Sequence, residues 1–254
     1  MENPTRRTTQ RVISAFITLS FVITTLFSST SPFSFKVAAA DGGTETSPAV
    51  INASSNLGTA TLTSGYYRLE GAFTNSGRLT VSGDVHLILA DLCDVTITGG
   101  INCSVGNSLT IYGNTGKLTA NGGTYQAGIG GGSGQAGGNI TINGGTVTAT
   151  GGYIAAGSGG ANITINGGSV SATGGFDGAG IGADNTTGVN LNITINGGTV
   201  IATGNGPVAG IGGGYYCQGG TIIINGGTIT ATKGASCDKG DIGPGNNGAD
   251  AVFV

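Results

Sequence analysis

Residues 139–152 read Asn139-Ile-Thr-Ile-Asn-Gly-Gly-Thr-Val-Thr-Ala-Thr-Gly-Gly152. The same block returns from Asn162 with Ser-Val-Ser in its middle, from Asn192 with Thr-Val-Ile and from Thr221 with Thr-Ile-Thr. The four starts lie 23, 30 and 29 residues apart. A degenerate copy runs from Ser108 through Leu-Thr-Ile-Tyr to Leu118-Thr-Ala-Asn-Gly-Gly123. Each copy is followed by a second, shorter block: Ala127-Gly-Ile-Gly130, Ala156-Gly-Ser-Gly159, Ala179-Gly-Ile-Gly182, Ala209-Gly-Ile-Gly212 and the diverged Asp241-Ile-Gly243.

Inside the block, Ile140 and Ile142 flank Thr141, and Val147 and Ala149 alternate with Thr146, Thr148 and Thr150. Period-two alternation of β-branched residues predicts short strands with one face buried. The Gly-Gly pairs supply the positive-φ corners that let the chain turn sharply. Self-similarity at this period marks a solenoid, because one repeat cannot bury its own apolar face. Three short strands per repeat close one coil, and coils stack at about 4.8 Å so that Ile lies over Ile. The expected fold is all-β: a right-handed parallel β-helix (β-solenoid), since parallel crossovers are right-handed. Val81, Val85–Leu89, Val95–Ile97 and Ile101 extend the pattern backwards over 59–105. That gives about seven coils of three short strands. Propellers and up-and-down barrels would need antiparallel hairpins, which repeats this short with three corners do not favour.

Composition agrees. Of 254 residues 53 are Gly and only 8% are charged, which excludes an ordinary helical globule. The glycines come in pairs rather than every third residue, which excludes collagen. With 38% apolar residues and a net charge of −3 the chain can collapse, so simple disorder fits poorly. Nine Lys and Arg against twelve Asp and Glu argue against nucleic acid as a partner.

The first forty residues read as an address. Arg6, Arg7 and Arg11 precede an uncharged stretch from Val12 to Phe27, and Ala38-Ala39-Ala40 precedes Asp41. A basic start, an apolar core and a small-residue site form a cleaved secretory signal. The core is diluted by Ser14, Thr18, Ser20, Thr24 and Thr25, which argues against a membrane anchor. The expected organisation is a signal peptide over 1–40, a flexible lead-in over 41–58 and a single β-helix domain over 59–254. After cleavage, five basic and eleven acidic residues remain and no segment is apolar enough to span a membrane. The expected product is secreted and extracellular.

The run Gly65-Tyr-Tyr-Arg-Leu69, then Leu79–Leu89, Val95-Thr-Ile97, and the paired Ile-Thr-Ile-Asn-Gly-Gly-Thr-Val-Thr-Ala-Thr and Ala-Gly-Ile-Gly-Gly-Gly blocks resemble secreted β-helix repeat proteins of Gram-positive bacteria, of the carbohydrate-binding-domain type. The resemblance covers nearly the whole chain after residue 40. It implies extracellular polysaccharide binding or surface adhesion, sometimes with calcium, on a fold shared with pectin-degrading enzymes. It carries no ligand motif that transfers residue by residue.

Candidate chemistry is sparse. Between Asn139 and Gly234 the charged residues are Asp177, Asp184 and Lys233 alone, too few for an acid–base site. Asp84, Asp91 and Asp94 lie near His86, the only histidine, with Arg78 and Lys117 a coil away on either side. They could contribute to a calcium site, or be solvated turn carboxylates. Asn143, Asn166, Asn196 and Asn225 recur at one corner, and stacked inward their amides would bond along the ladder. Tyr125, Tyr153 and Phe176 recur after the second strand, with Tyr215 and Tyr216 on another loop. These rings either stack on sugar faces or shield the core. Thr146/Thr148, Ser169/Ser171, Thr199/Ile201 and Thr228/Thr230 form two hydroxyl rows that either meet a polysaccharide or simply reflect Thr as a good outward strand residue. The serines and Ile201 spoil the regularity that matching ice would require. Cys93, Cys103, Cys217 and Cys237 permit Cys93–Cys103 and Cys217–Cys237 disulfides in an exported chain, or remain buried thiols.

The reading of function is therefore binding of an extracellular polysaccharide without catalysis. The alternative is a structural or adhesin-like surface protein whose partner is another protein or a second copy. A pectin-type lyase or hydrolase and an ice-binding protein follow behind.

Overall fold

The computed structural model describes residues 37–38, 44–45 and 48–253, apart from 56, 124–125, 133–134, 136, 152–157, 160–161, 184–190 and 249–251. Two units are distinguished, Met1–Ser47 and Pro48–Val254. The described part of the first is an antiparallel pair, β1 (Val37–Ala38) with β2 (Thr44–Glu45). The expected signal peptide lies outside the described residues, apart from β1.

The second unit opens with β3 (Ala49–Ile51), β4 (Thr61–Leu69), β5 (Ala72–Asn75) and β6 (Leu79–Leu89). The later half of β4, β5 and the start of β6 make the first complete coil. The rest of β6 with β7 (Asp94–Ile97) and β8 (Ile101–Asn102) makes the second. The third holds β9 (Ser108–Gly113), β10 (Lys117–Asn121) and β11 (Ile129–Gly130); the fourth β12 (Asn139–Ile142), β13 (Thr146–Thr150) and β14 (Ser158–Gly159). The fifth holds β15 (Asn162–Ile165), β16 (Ser169–Phe176) and β17 (Ile181–Gly182); the sixth β18 (Asn192–Ile195), β19 (Thr199–Asn205) and β20 (Ile211–Gly212). β21 (Thr221–Ile224), β22 (Thr228–Thr232) and β23 (Ile242–Gly243) close the seventh, and β24 (Val252–Phe253) starts another turn. Among the described residues no helix is long and apolar enough to cross a membrane.

Every strand pairing in this unit is parallel, and equivalent residues sit over one another: Ile140 on Ile163, Ile163 on Ile193, Ile193 on Ile222. The alternation read from sequence is the burial pattern itself, with Val147 and Ala149 buried and Thr146, Thr148 and Thr150 half-exposed. The second strands form a seven-stranded sheet, β22-β19-β16-β13-β10-β7-β5. The first and third strands form one fifteen-stranded sheet, because the long β4 and β6 each run round a corner without a loop. The corner between first and second strands is set by the second glycine of each pair: Gly145, Gly168, Gly198 and Gly227 have φ of +81, +85, +89 and +101. Together these features make a right-handed parallel β-helix of seven complete coils.

The array starts earlier than the sequence suggests. β3 pairs in parallel with β4 and Ile51 is buried, so residues 48–55 belong to the compact unit rather than to a flexible lead-in.

Candidate functional site

The outward positions of the second strands align into columns. The middle column is Thr74, Thr96, Thr119, Thr148, Ser171, Ile201 and Thr230, one residue from each of the seven coils. Beside it run Thr146, Ser169, Thr199 and Thr228 on one flank, and Thr150, Thr173, Thr203 and Thr232 on the other. The sequence leads one to expect two rows; three are present, and the middle one reaches back into the degenerate coils. With strands about 4.8 Å apart and outward residues about 6.6 Å apart, the middle column is roughly 29 Å long and the wall is about 13 Å wide over the last four coils.

At the loop edge, a register shift between Thr173 and Phe176 bends β16 and turns Phe176 outward, where it is 44% exposed. Asp177 follows in the left-handed region, φ +61, held by its N–H donating to Asn205 O at 2.8 Å. From the next coil, Tyr215 and Tyr216 form a tilted pair with ring centroids 4.2 Å apart, and Tyr216 is 49% exposed. The Tyr216 phenol is pushed above its ordinary value first by its hydrogen bond with Tyr215, then by that residue's charge and by burial, and last by the charge of Asp177. Two loops from successive coils thus bring Asp177 within electrostatic reach of Tyr216, with Phe176 exposed beside Asp177 in the chain. Tyr125 and Tyr153 lie outside the described residues.

Residues 109–133, 140–162, 163–185, 193–215 and 222–248 match the model of the beta helix repeat family, one match on each of the third to seventh coils. Five successive coils of this parallel β-helix thus carry the beta helix repeat. No curated protein and no solved structure matches it.

On this β-helix the aspartates do not converge. Asp84 opens the second half of β6, Asp91 lies in the turn beyond its far end, and Asp94 starts the next strand. Each is engaged separately. Asp84 accepts from Ser108 Oγ and faces His86 Nε2 at 3.2 Å, while Asp91 accepts from Thr115 Oγ1 at 3.0 Å and Asp94 pairs with Lys117 at 3.7 Å. Among the described residues no three His, Cys, Asp or Glu side chains are grouped to hold a metal ion, an arrangement that fits separate turn carboxylates better than one calcium site.

His86 is instead a member of a stacked outward ladder. Its ring lies 4.2 Å from Tyr66 at an interplanar angle of 6°, and its Nδ1 is 3.3 Å from the Tyr112 hydroxyl. Facing a carboxylate, neutral His86 carries its proton on Nε2, so Nδ1 accepts from Tyr112. Arg78 serves the structure. Its Nη1 donates to Gly99 O and Ala127 O at 2.9 Å, and its Nη2 to Gly130 O and Gly131 O at 3.3 and 3.1 Å. Burial pushes its pKa down to about 10, which leaves it charged at neutral pH, a cation binding the backbones of successive coils together.

The asparagine corner is a bonded ladder: Asn166, Asn196 and Asn225 each donate from Nδ2 to the Oδ1 of the preceding Asn, at 2.7 Å. The ladder stands outward, with Asn166, Asn196 and Asn225 exposed, rather than inward as expected. Parity explains the difference, since Ile142 points inward and the next residue must point out. A second ladder, Asn139–Asn162–Asn192 at 2.7 and 2.9 Å, is missed by the sequence reading although each of these residues opens an Asn-Ile-Thr-Ile strand.

The four cysteines are free and buried. Cys93 Sγ lies 3.9 Å from Lys117 O and Cys103 Sγ 3.8 Å from Asn139 O, at different corners of the stack. The disulfides that spacing permits are not formed, and a continuous stacked core supplies the cohesion they would have given.

Proposed function

We propose that this parallel β-helix protein is exported and recognises an extracellular polysaccharide without catalysing its cleavage. The observation that carries the reading is the loop edge, where Phe176 and Tyr216 from neighbouring coils expose nearly half of their surface. Flat rings presented to solvent match the apolar faces of sugars, and each such contact is worth about 1 kcal/mol. The hydroxyl wall supports it: a rigid, weakly charged array of donors and acceptors suits an extended neutral chain. Arg78 and Lys117 are already paired, which disfavours a lyase-type site built on them.

The second reading is self-assembly at the cell surface. Strand β22 pairs only with β19, so its other edge carries unpartnered backbone groups among the described residues.

The two readings separate in one experiment. The purified protein is mixed with insoluble cellulose, mannan, chitin and cell-wall material, with and without a chelator, and scattering is followed with concentration in parallel. Saturable, chelator-independent binding to one polymer class supports recognition. No binding, with end-to-end growth at rising concentration, supports assembly.

A further inference from the structure

Phe176, Asp177 and Tyr216 hold a feature the repeat itself does not require. The preceding coil-forming strand, β13, ends at Thr150, and β19 passes the same level as Asn205 without an aromatic residue. Only the fifth coil, among the described residues, sets an exposed ring and a carboxylate side by side after its second strand. The carboxylate is held there under strain. Its backbone adopts φ +61, which Asp tolerates poorly compared with Gly, and a β-bulge precedes it. Its Oδ1 lies against Gly206, so close that a Cβ added to that glycine would sit 2.7 Å from it.

Among the described residues the Asp177 side chain has no hydrogen-bond donor and no cation: its backbone N–H to Asn205 O is its bond, and no ion pair includes it. Every other described acidic side chain whose position bears on a candidate site is paired, as Asp84, Asp91 and Asp94 are. A half-buried carboxylate with no donor is an acceptor waiting for hydroxyl groups. A carboxylate accepts a pair of adjacent O–H groups well, and bonds to an ionised acceptor are about twice as strong as neutral ones.

We propose that Asp177 is the specificity-determining acceptor of the loop-edge site, taking vicinal hydroxyls of a neutral polysaccharide whose sugar ring stacks on Phe176 and Tyr216. The inference rests on the carbohydrate-binding reading and narrows it. An uncompensated negative charge at the platform excludes polyuronates and sulfated chains, whose own anions would face Asp177 without a cation between them. The chain outside residues 1–40, with eleven acidic residues against five basic ones, reinforces that exclusion at longer range.

The test is depletion binding of the whole protein to cellulose, mannan and polygalacturonate, using wild type, Asp177→Asn, Asp177→Ala and the double variant Phe176→Ala/Tyr216→Ala. Unchanged circular dichroism and a melting temperature no lower than that of wild type establish that each variant is folded. The expected result is binding to a neutral polymer, weakened about tenfold by Asp177→Asn and further by Asp177→Ala, with polygalacturonate bound more weakly than either neutral polymer by wild type. If Asp177→Asn binds as wild type while the double variant loses binding, Asp177 is overturned and the aromatic platform stands. Preference of wild type for polygalacturonate also overturns the assignment. If wild type binds none of the polymers, the carbohydrate-binding reading itself fails along with it.

Discussion

Gly182 and Gly106 separate two costs that a glycine can hide. Both have positive φ, +142 and +86, yet a Cβ at Gly106 would meet nothing within 4 Å, whereas one at Gly182 would fall 1.9 Å from Gly212 O in the next coil. Gly106→Ala therefore carries backbone strain alone, about 1–2 kcal/mol. Gly182→Ala must also push neighbouring coils away from each other, adding about 2–3 kcal/mol. Urea melts of the two variants should rank them in that order; equal losses would mean that coil contact is not what fixes this glycine. Asp177 has the opposite balance. Burial raises its carboxyl pKa, so protonation favours the folded state. That stabilisation is complete below the unfolded carboxyl's value of about 3.9 and is lost as pH rises through the higher folded value. Asp177→Asn should therefore melt slightly higher than wild type at pH 7, and the difference should close in acid. A lower melting temperature at pH 7 would contradict this. For the thiols, burial pushes Cys103 up to about 12 and raises Cys93 as well. A thiol reagent should find none in the native protein and four after unfolding without reductant; fewer than four would reveal a bridge. At this scale the aromatic residues were legible in the sequence, but their meeting with Asp177 was not, because it joins loops of successive coils whose lengths differ.

At the scale of the element, the outward ladder makes a graded prediction. Asn166 both donates to Asn143 and accepts from Asn196, whereas Asn225 only donates, to Asn196. Each amide–amide bond is worth about 0.5–1 kcal/mol at an exposed position. Asn166→Ala should cost about twice what Asn225→Ala costs in thermal or urea unfolding. Equal costs would show that the ladder is a consequence of stacking rather than a contributor to it. The recurrence of these residues was plain in the sequence, and so was the strand period. Their direction followed from parity, which the attraction of an inward polar stack obscured. The third hydroxyl column shows the same limit. Thr150, Thr173, Thr203 and Thr232 stand in every late repeat, but only the parallel register shows that they extend one flat wall.

For the whole molecule, the stacked array explains why so few specific residues are needed. Each coil buries its Ile and Val against the next, so the frame is rigid without help from the surface and leaves one wall of hydroxyls and one edge of rings to vary. The repeat blocks made the fold and the number of coils legible. The beginning of the array was not, because Ala49-Val50-Ile51 joins the stack without a Gly-Gly corner to announce it. The polysaccharide-binding edge proposed for this frame is open to test by a binding isotherm. Wild type and the Phe176→Ala/Tyr216→Ala variant are titrated onto the polymer that wild type retains best, with equal melting temperatures established beforehand. Saturable binding by wild type and roughly tenfold or weaker binding by the variant are expected, as the loss of two ring contacts requires. Identical isotherms, or no saturable binding by wild type to any polymer, would contradict the proposal.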